Sequence, residues 1–337
     1  MRRRPLVNLF RVTVGITLAL LGCRRATAQL PVHANESADV DFTIQHDGIE
    51  RRYLVHAPSG WDGKSALPVV LAFHGGGARA EVQRSQSRMN ATSDRHQFLL
   101  VYPDGTGPTR RRIFRREEVG ILTWNAGLCC GSAVQQNVDD VGFVRALLDD
   151  LPRRYPIDLQ RIYVTGMSNG SMFAHRVAVE LADRIAAAAP VAGAIMIRDL
   201  AKKPSRPVPI LYFHGERDPS AKFDGGPGRL DKTPHRSVRE TVDWWVRANH
   251  CGEKPVETRK DRDYVLERYE PATGQNGAPV EFVRLPEGGH TWPGGYDVTA
   301  RLGTGKLIET VDANEMMWQF FARHRLESPT AGKPSGG

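Results

Sequence analysis

The stretch Tyr163-Val-Thr-Gly-Met-Ser-Asn-Gly-Ser171 decides the fold. It joins an apolar run, Arg161–Thr165, to a helical pattern that starts at Asn169 and runs to Ala182, and at the seam Ser168 sits between Gly166 and Gly170. A strand that passes directly into a helix needs a sharp turn, and glycines two residues to either side leave room for the crowded backbone. Such a turn lifts the serine hydroxyl to the helix N-terminus. The G-x-S-x-G pattern is short and matches by accident, so its meaning depends on whether an acid and a histidine follow in the right places.

Working outward, Val40–Gln45 and Arg52–His56 alternate apolar with polar residues around the turn signal His46-Asp-Gly48, which predicts an opening hairpin. Leu67–Phe73 and Phe98–Tyr102 are continuous apolar runs, the mark of strands buried on both faces. A helical pattern over Val138–Arg154 precedes the Arg161–Thr165 strand. Further strands are expected at Ala186–Ala194, Pro209–Phe213 and Val280–Leu285, with helices at Arg236–Asn249 and Val311–His324. Strands alternating with helices in this way predict an α/β fold, a single domain built on a mostly parallel, doubly wound sheet.

In such a sheet the loops at the carboxyl ends of the strands converge. Asp218 follows the Pro209–Phe213 strand, and His290 follows the Val280–Leu285 strand within Gly288-Gly-His-Thr-Trp-Pro-Gly294. The order Ser168, Asp218, His290 is the one a nucleophile–acid–base triad takes on this architecture. Without a base a serine hydroxyl is a weak nucleophile, so His290 is expected to take its proton and Asp218 to hold His290. The backbone amide of Asn169, with that of Gly76 or Gly77 in the loop His74-Gly-Gly-Gly77, would receive a developing oxyanion. Trp124 and Trp292 are candidate walls of a substrate pocket, weighed against burial in the core. Asp139 and Asp140 open a helical pattern and are expected to cap it.

These residues resemble those of the secreted polyhydroxybutyrate depolymerase and feruloyl esterase family of α/β-hydrolases, which stands close to the carbohydrate esterases. The resemblance spans about residues 38–326 and is carried by His74–Gly77, Tyr102-Pro-Asp-Gly105, Trp124-Asn125, Cys129-Cys-Gly131, Val138–Phe143, Gly166–Gly170, Phe213-His-Gly215 with Asp218, Gly225-Gly226 and Gly289–Gly294. It implies a cofactor-free serine esterase in which Ser168 is the nucleophile, Asp218 the acid and His290 the base, acting on hydroxyalkanoate, feruloyl or acetyl esters. The alternative is a catalytically inactive hydrolase scaffold serving as a surface-binding protein. Members of the family that attack solid polyester carry a linker and a binding domain. Here only residues 327–337 follow the catalytic region, and Arg110–Arg116 is an unusual insertion, so soluble or surface-accessible esters are expected.

The formal charge of +8 suggests nucleic acid or membrane until its position is considered. Residues 1–28 hold six arginines and no acid, which leaves 40 Lys and Arg against 38 Asp and Glu in the remainder. The basic start, the apolar run Val12–Leu21 and Ala26-Thr-Ala28 form an expected export signal, so the catalytic domain would occupy 29–326 and the chain would be secreted or periplasmic. Leu20-Leu-Gly-Cys23 loosely resembles a lipoprotein acylation site, with Cys23 as the anchor, and Arg3-Arg-Pro-Leu-Val7 a twin-arginine signal. No integral membrane domain and no nucleic-acid partner are expected; the basic run Pro108–Glu118 is taken as a solvated loop, and residues 327–337 as a disordered tail. Cys129, Cys130 and Cys251 lack histidines at metal spacing, which argues against zinc. Of the pairings they allow, a bridge from Cys129 or Cys130 to Cys251 is expected over the vicinal one.

Overall fold

The computed structural model describes residues 39–107, 121–229, 232–298 and 303–327. The chain divides into Met1–Val32 and His33–Gly337, and the fold below belongs to the second unit. The expected export signal, Cys23, the basic run at 108–118 and the tail beyond Glu327 lie outside the described residues.

Strands β1 (Asp39–His46) and β2 (Ile49–His56) form the predicted hairpin, closed by Asp47 and Gly48, both at positive φ. There follow β3 (Leu67–Phe73), helices α1 (Ala80–Ser87) and α2 (Asn90–His96), β4 (Leu99–Pro103), α3 (Gly131–Gln135), α4 (Asp140–Asp150), β5 (Ile157–Met167), α5 (Asn169–Glu180), β6 (Ala187–Val191) and β7 (Ile210–Gly215). A two-residue ribbon of β8 (Gly226–Pro227) and β9 (Pro234–His235) precedes α6 (Val238–Ala248), β10 (Glu257–Lys260), β11 (Val265–Tyr269), β12 (Val280–Leu285) and α7 (Ala313–Phe321).

One ten-stranded sheet takes the order β1-β2-β4-β3-β5-β6-β7-β12-β11-β10. Its six central strands, β4 to β12 in that order, are parallel; the hairpin at one edge and β11 and β10 at the other run antiparallel. Every residue of β3, β4, β6 and β7 is buried, as parallel strands covered on both faces require. Alternate residues of β3 face opposite ways. Val70 and Ala72 join an apolar cluster with Met317, Phe320 and Phe321 of α7, whereas Phe73 meets Phe173 of α5, ring centroids 4.9 Å apart.

Helix starts follow their capping chemistry. Ser237 and Glu240 form a reciprocal capping box at α6, and Asp139 accepts the Gly142 amide at 2.9 Å to cap α4, as predicted. Asp140 differs from the expectation. Its carboxylate is fully buried, 2.8 Å from the guanidinium of Arg51 and 2.8 Å from the amide of Asn125, so it anchors β2 and the 125 loop to α4. The cysteines differ too. Cys129 is bonded to Cys130, and Cys251 is a free thiol 3.1 Å from the Ala278 carbonyl, so the expected bridge to Cys251 is replaced by the vicinal one. Among the described residues no helix is long and apolar enough to cross a membrane, and no group of three or more His, Cys, Asp or Glu side chains is placed to hold a metal.

Candidate active site

The strand β5 ends at Met167, Ser168 takes φ 57° and ψ −120°, and α5 begins at Asn169. This backbone is sterically costly for a residue with a side chain and persists where the surroundings impose it. The glycines explain how. A Cβ on Gly166 would lie 2.6 Å from the Gly170 carbonyl oxygen, and one on Gly170 would lie 2.2 Å from that of Phe73. The turn is pressed onto the end of β3, so neither position has space for a side chain.

The loops after β7 and β12 are pressed together in the same way: a Cβ on Gly215 would sit 2.3 Å from the Gly288 carbonyl oxygen. That contact brings together Asp218 and His290, 72 positions apart. Nδ1 of His290 lies 2.7 Å from Oδ2 of Asp218. The other oxygen of Asp218 accepts the amides of Ser220 at 2.7 Å and Ala221 at 2.8 Å. Burial by itself would raise the Asp218 pKa, but attraction to His290, the bond to it, His214 and the Ala221 amide hold it below the ordinary carboxylate value. An ionised Asp218 accepts from Nδ1–H, which leaves Nε2 of His290 free to take a proton. Among the described residues Ser168 and His290 are not hydrogen-bonded to each other; such bonds tighten when substrate is present.

Behind this pair lies a second histidine that sequence reading passed over. His214 is buried, its Nε2 donates to the Ala221 carbonyl at 2.8 Å, and its Nδ1 accepts from the Tyr212 hydroxyl at 2.7 Å. Burial lowers its pKa against the opposing charge of Asp218, and its bond to Ala221 ties down the loop that carries Asp218. The signal was present in Phe213-His-Gly215, a histidine at the carboxyl end of a buried strand.

The glycine loop is organised by His74, also fully buried. Its Nδ1 donates to the Gly75 carbonyl at 2.7 Å and its Nε2 accepts the Gly105 amide at 2.9 Å. Gly77 donates its amide to Leu122 at 2.8 Å, so of the two candidate donors it is already engaged. No acceptor among the described residues takes the amide of Gly76, and a Cβ there would lie 3.6 Å from that of Asn169.

The two tryptophans do not wall a pocket. Trp124 has no exposed surface: it stacks on Phe173 with centroids 4.8 Å apart, and its indole N–H donates to the His74 carbonyl at 3.0 Å. Trp292 is equally buried, bonded through its indole N–H to Asn314 at 2.9 Å and packed in the cluster with Ile308 and Val311. Both are core residues. An indole N–H that finds a buried acceptor lets a large aromatic be fully enclosed without penalty. Asn169 brings a further contact that the serine motif did not disclose: its carboxamide accepts the Trp124 amide at 2.7 Å and donates to the Trp124 carbonyl at 3.0 Å. Cavities of about 220 Å³ beside Arg176 and Arg198 and of about 290 Å³ beside Leu266 and Arg323 are lined by none of Ser168, Asp218 and His290.

A profile of the dienelactone hydrolase family matches residues 129–273, a span that contains Ser168 and Asp218 and stops before His290. A putative esterase, NocK, from Nocardia uniformis subsp. tsuyamanensis is 29% identical over 302 residues, covering 84% of each chain. Feruloyl esterase B of Piromyces equi is 30% identical over 254 residues, which take in 71% of this chain and 42% of that protein. An acetyl xylan esterase from Aspergillus awamori, of known structure, shares the fold with a TM-score of 0.52 at 13% identity, over 75% of this chain and 94% of that one. The sheet order, the strained turn at the end of β5 and these likenesses agree: the chain has the α/β-hydrolase fold, and the relatives it is similar to are named esterases.

Proposed function

We propose that the chain is a secreted serine carboxylic-ester hydrolase that works through Ser168, His290 and Asp218, with residues 29–326 as its catalytic domain and 1–28 as an export signal. The observation that carries this reading is the 2.7 Å bond from His290 to a buried, ionised Asp218 at the same sheet edge as the strained Ser168 turn. His290 takes the hydroxyl proton of Ser168 through Nε2 as the oxygen attacks the ester carbonyl, and the Asn169 and Gly76 amides receive the negative charge that moves onto the carbonyl oxygen. Gly76 is preferred over Gly77 because the latter's amide is held by Leu122. His290 then gives its proton to the departing alcohol, and water repeats the two transfers on the acyl-enzyme.

Hydroxyalkanoate, feruloyl and acetyl esters are the substrate classes to compare. Initial rates on a 3-hydroxybutyrate oligomer, methyl ferulate and an acetylated sugar, each with wild type and Ser168→Ala, test the proposal. Ser168-dependent turnover on at least one of them is expected. Hydrolysis undiminished in Ser168→Ala refutes the assignment, and an active-site serine that a fluorophosphonate fails to label points to a binding role on an inactive scaffold.

A further inference from the structure

We propose that the side chain of Asn169 is a positioning residue for the oxyanion hole, acting by clamping the segment Leu122–Trp124 across the gap between its two amide donors. The inference rests on the esterase reading above and extends it to a group with no role in the triad. The two donors come from different parts of the chain, the Asn169 amide from the start of α5 and the Gly76 amide from the loop after β3. Nothing in either element alone sets the distance between them.

The 122–124 segment touches both. On the loop side, the Leu122 carbonyl accepts the Gly77 amide at 2.8 Å, and the Trp124 indole donates to the His74 carbonyl at 3.0 Å. On the helix side, the Asn169 carboxamide grips the amide and carbonyl of Trp124 at 2.7 and 3.0 Å, a two-pronged contact with its orientation fixed because the Trp124 amide is a donor. Within the loop the His74 ring holds the Gly75 carbonyl at 2.7 Å. In a trans peptide the carbonyl and the following N–H point in opposite directions, so this bond turns the Gly76 N–H away from the His74 ring. Asn169 is only 2% exposed, so water does not substitute for either prong. A hydrogen-bonded circuit thus closes around the site, and the Asn169 carboxamide joins its two halves at Trp124 itself, beside the Arg176 guanidinium of α5, which donates to the neighbouring Asn125 carbonyl at 2.7 Å.

The contribution expected of such a link is to the transition state, since oxyanion donors must match the charged oxygen and not the ground-state carbonyl. Asn169→Ala keeps the backbone amide and removes the clamp. Asn169→Asp keeps the size and the acceptor for the Trp124 amide and sets an oxygen against the Trp124 carbonyl. Measured on p-nitrophenyl acetate, kcat is expected to fall about 100-fold in both, as for a catalytic group displaced by about 1 Å, with KM little changed. The dissociation constant of phenylboronic acid, whose serine adduct carries a tetrahedral oxyanion, should rise by a similar factor when followed by calorimetry. A merely structural residue lowers the melting temperature and leaves kcat and boronate affinity within about threefold of wild type; that result overturns the inference, and the Asp variant supplies it if Ala does not fold. Absence of Ser168-dependent turnover and of boronate binding in the wild type refutes the esterase reading and this inference together, whereas an active wild type with unaffected variants refutes this inference alone.

Discussion

Replacing Asp218 with asparagine should disable the enzyme through the position of a single proton. Two amides, Ser220 at 2.7 Å and Ala221 at 2.8 Å, converge on Oδ1, so in Asp218→Asn the amide oxygen must occupy that place. The NH₂ group then takes the place of Oδ2, 2.7 Å from Nδ1 of His290. It can only donate there, which requires an unprotonated Nδ1 and puts the imidazole proton on Nε2, the nitrogen that should accept from Ser168. Restoring the competent tautomer means flipping the carboxamide and facing two backbone donors with a third, at about 1–3 kcal/mol for each lost bond. At 1.36 kcal/mol per decade this gives a loss in kcat between about 30-fold and about 10⁴-fold. The upper end matches the loss of about 10⁴ found when a triad is locked in the wrong tautomer. Steady-state kinetics on a p-nitrophenyl ester, with the melting temperature as a control for folding, measures the effect. A folded Asp218→Asn enzyme that keeps more than about a tenth of wild-type kcat would refute the reasoning.

Two further outcomes follow from buried charge. Asp140→Ala leaves the Arg51 guanidinium, only 2% exposed and stacked 3.9 Å over the Phe143 ring, without its carboxylate, and should lower stability by about 3–5 kcal/mol in urea unfolding; a loss below about 1 kcal/mol would show that Arg51 finds water or another acceptor. His175 is fully buried, accepts the Trp245 indole N–H at 2.9 Å, and has its pKa pushed down to about 3, mainly by burial. The unfolded chain therefore binds a proton near pH 6.5 that the native state refuses, and the stability His175 contributes is complete above that pH and lost as pH falls from about 6.5 toward 3. In His175→Gln, which still accepts from Trp245 and does not titrate, the decline of the urea midpoint between these limits should be shallower; an unchanged slope would assign the acid sensitivity to other groups.

The strand-to-helix passage at 163–171 and the apolar run at 67–73 were legible because burial on both faces leaves no polar alternation, and β3 and β12 match the expected strands at 67–73 and 280–285 residue for residue. Helices α1 and α2 left no such mark. Their sequences, AEVQRSQS and NATSDRH, are polar and short, and they are helical because the loops between β3 and β4 must cover the sheet. Strand β10, with the sequence ETRK, is mostly exposed and is set by its antiparallel pairing with β11. The apolar cysteine and tryptophan positions were ambiguous for another reason: one-dimensional order says which side chains are large or reactive, not what lies opposite them.

By itself, then, the amino-acid order determined the α/β class and the succession Ser168, Asp218, His290, since both depend on local composition and on the rule that strand ends share one edge. Tertiary structure alone decided the rest. It placed the His290–Asp218 contact across 72 residues, engaged the Gly77 amide and left that of Gly76, closed Trp124 and Trp292 into the core, joined Cys129 to Cys130, and brought the Asn169 carboxamide against Trp124. The physical reason is that hydrogen bonds and burial need distances right to within a few tenths of an ångström between segments far apart in the chain, and those distances exist only once the sheet has assembled.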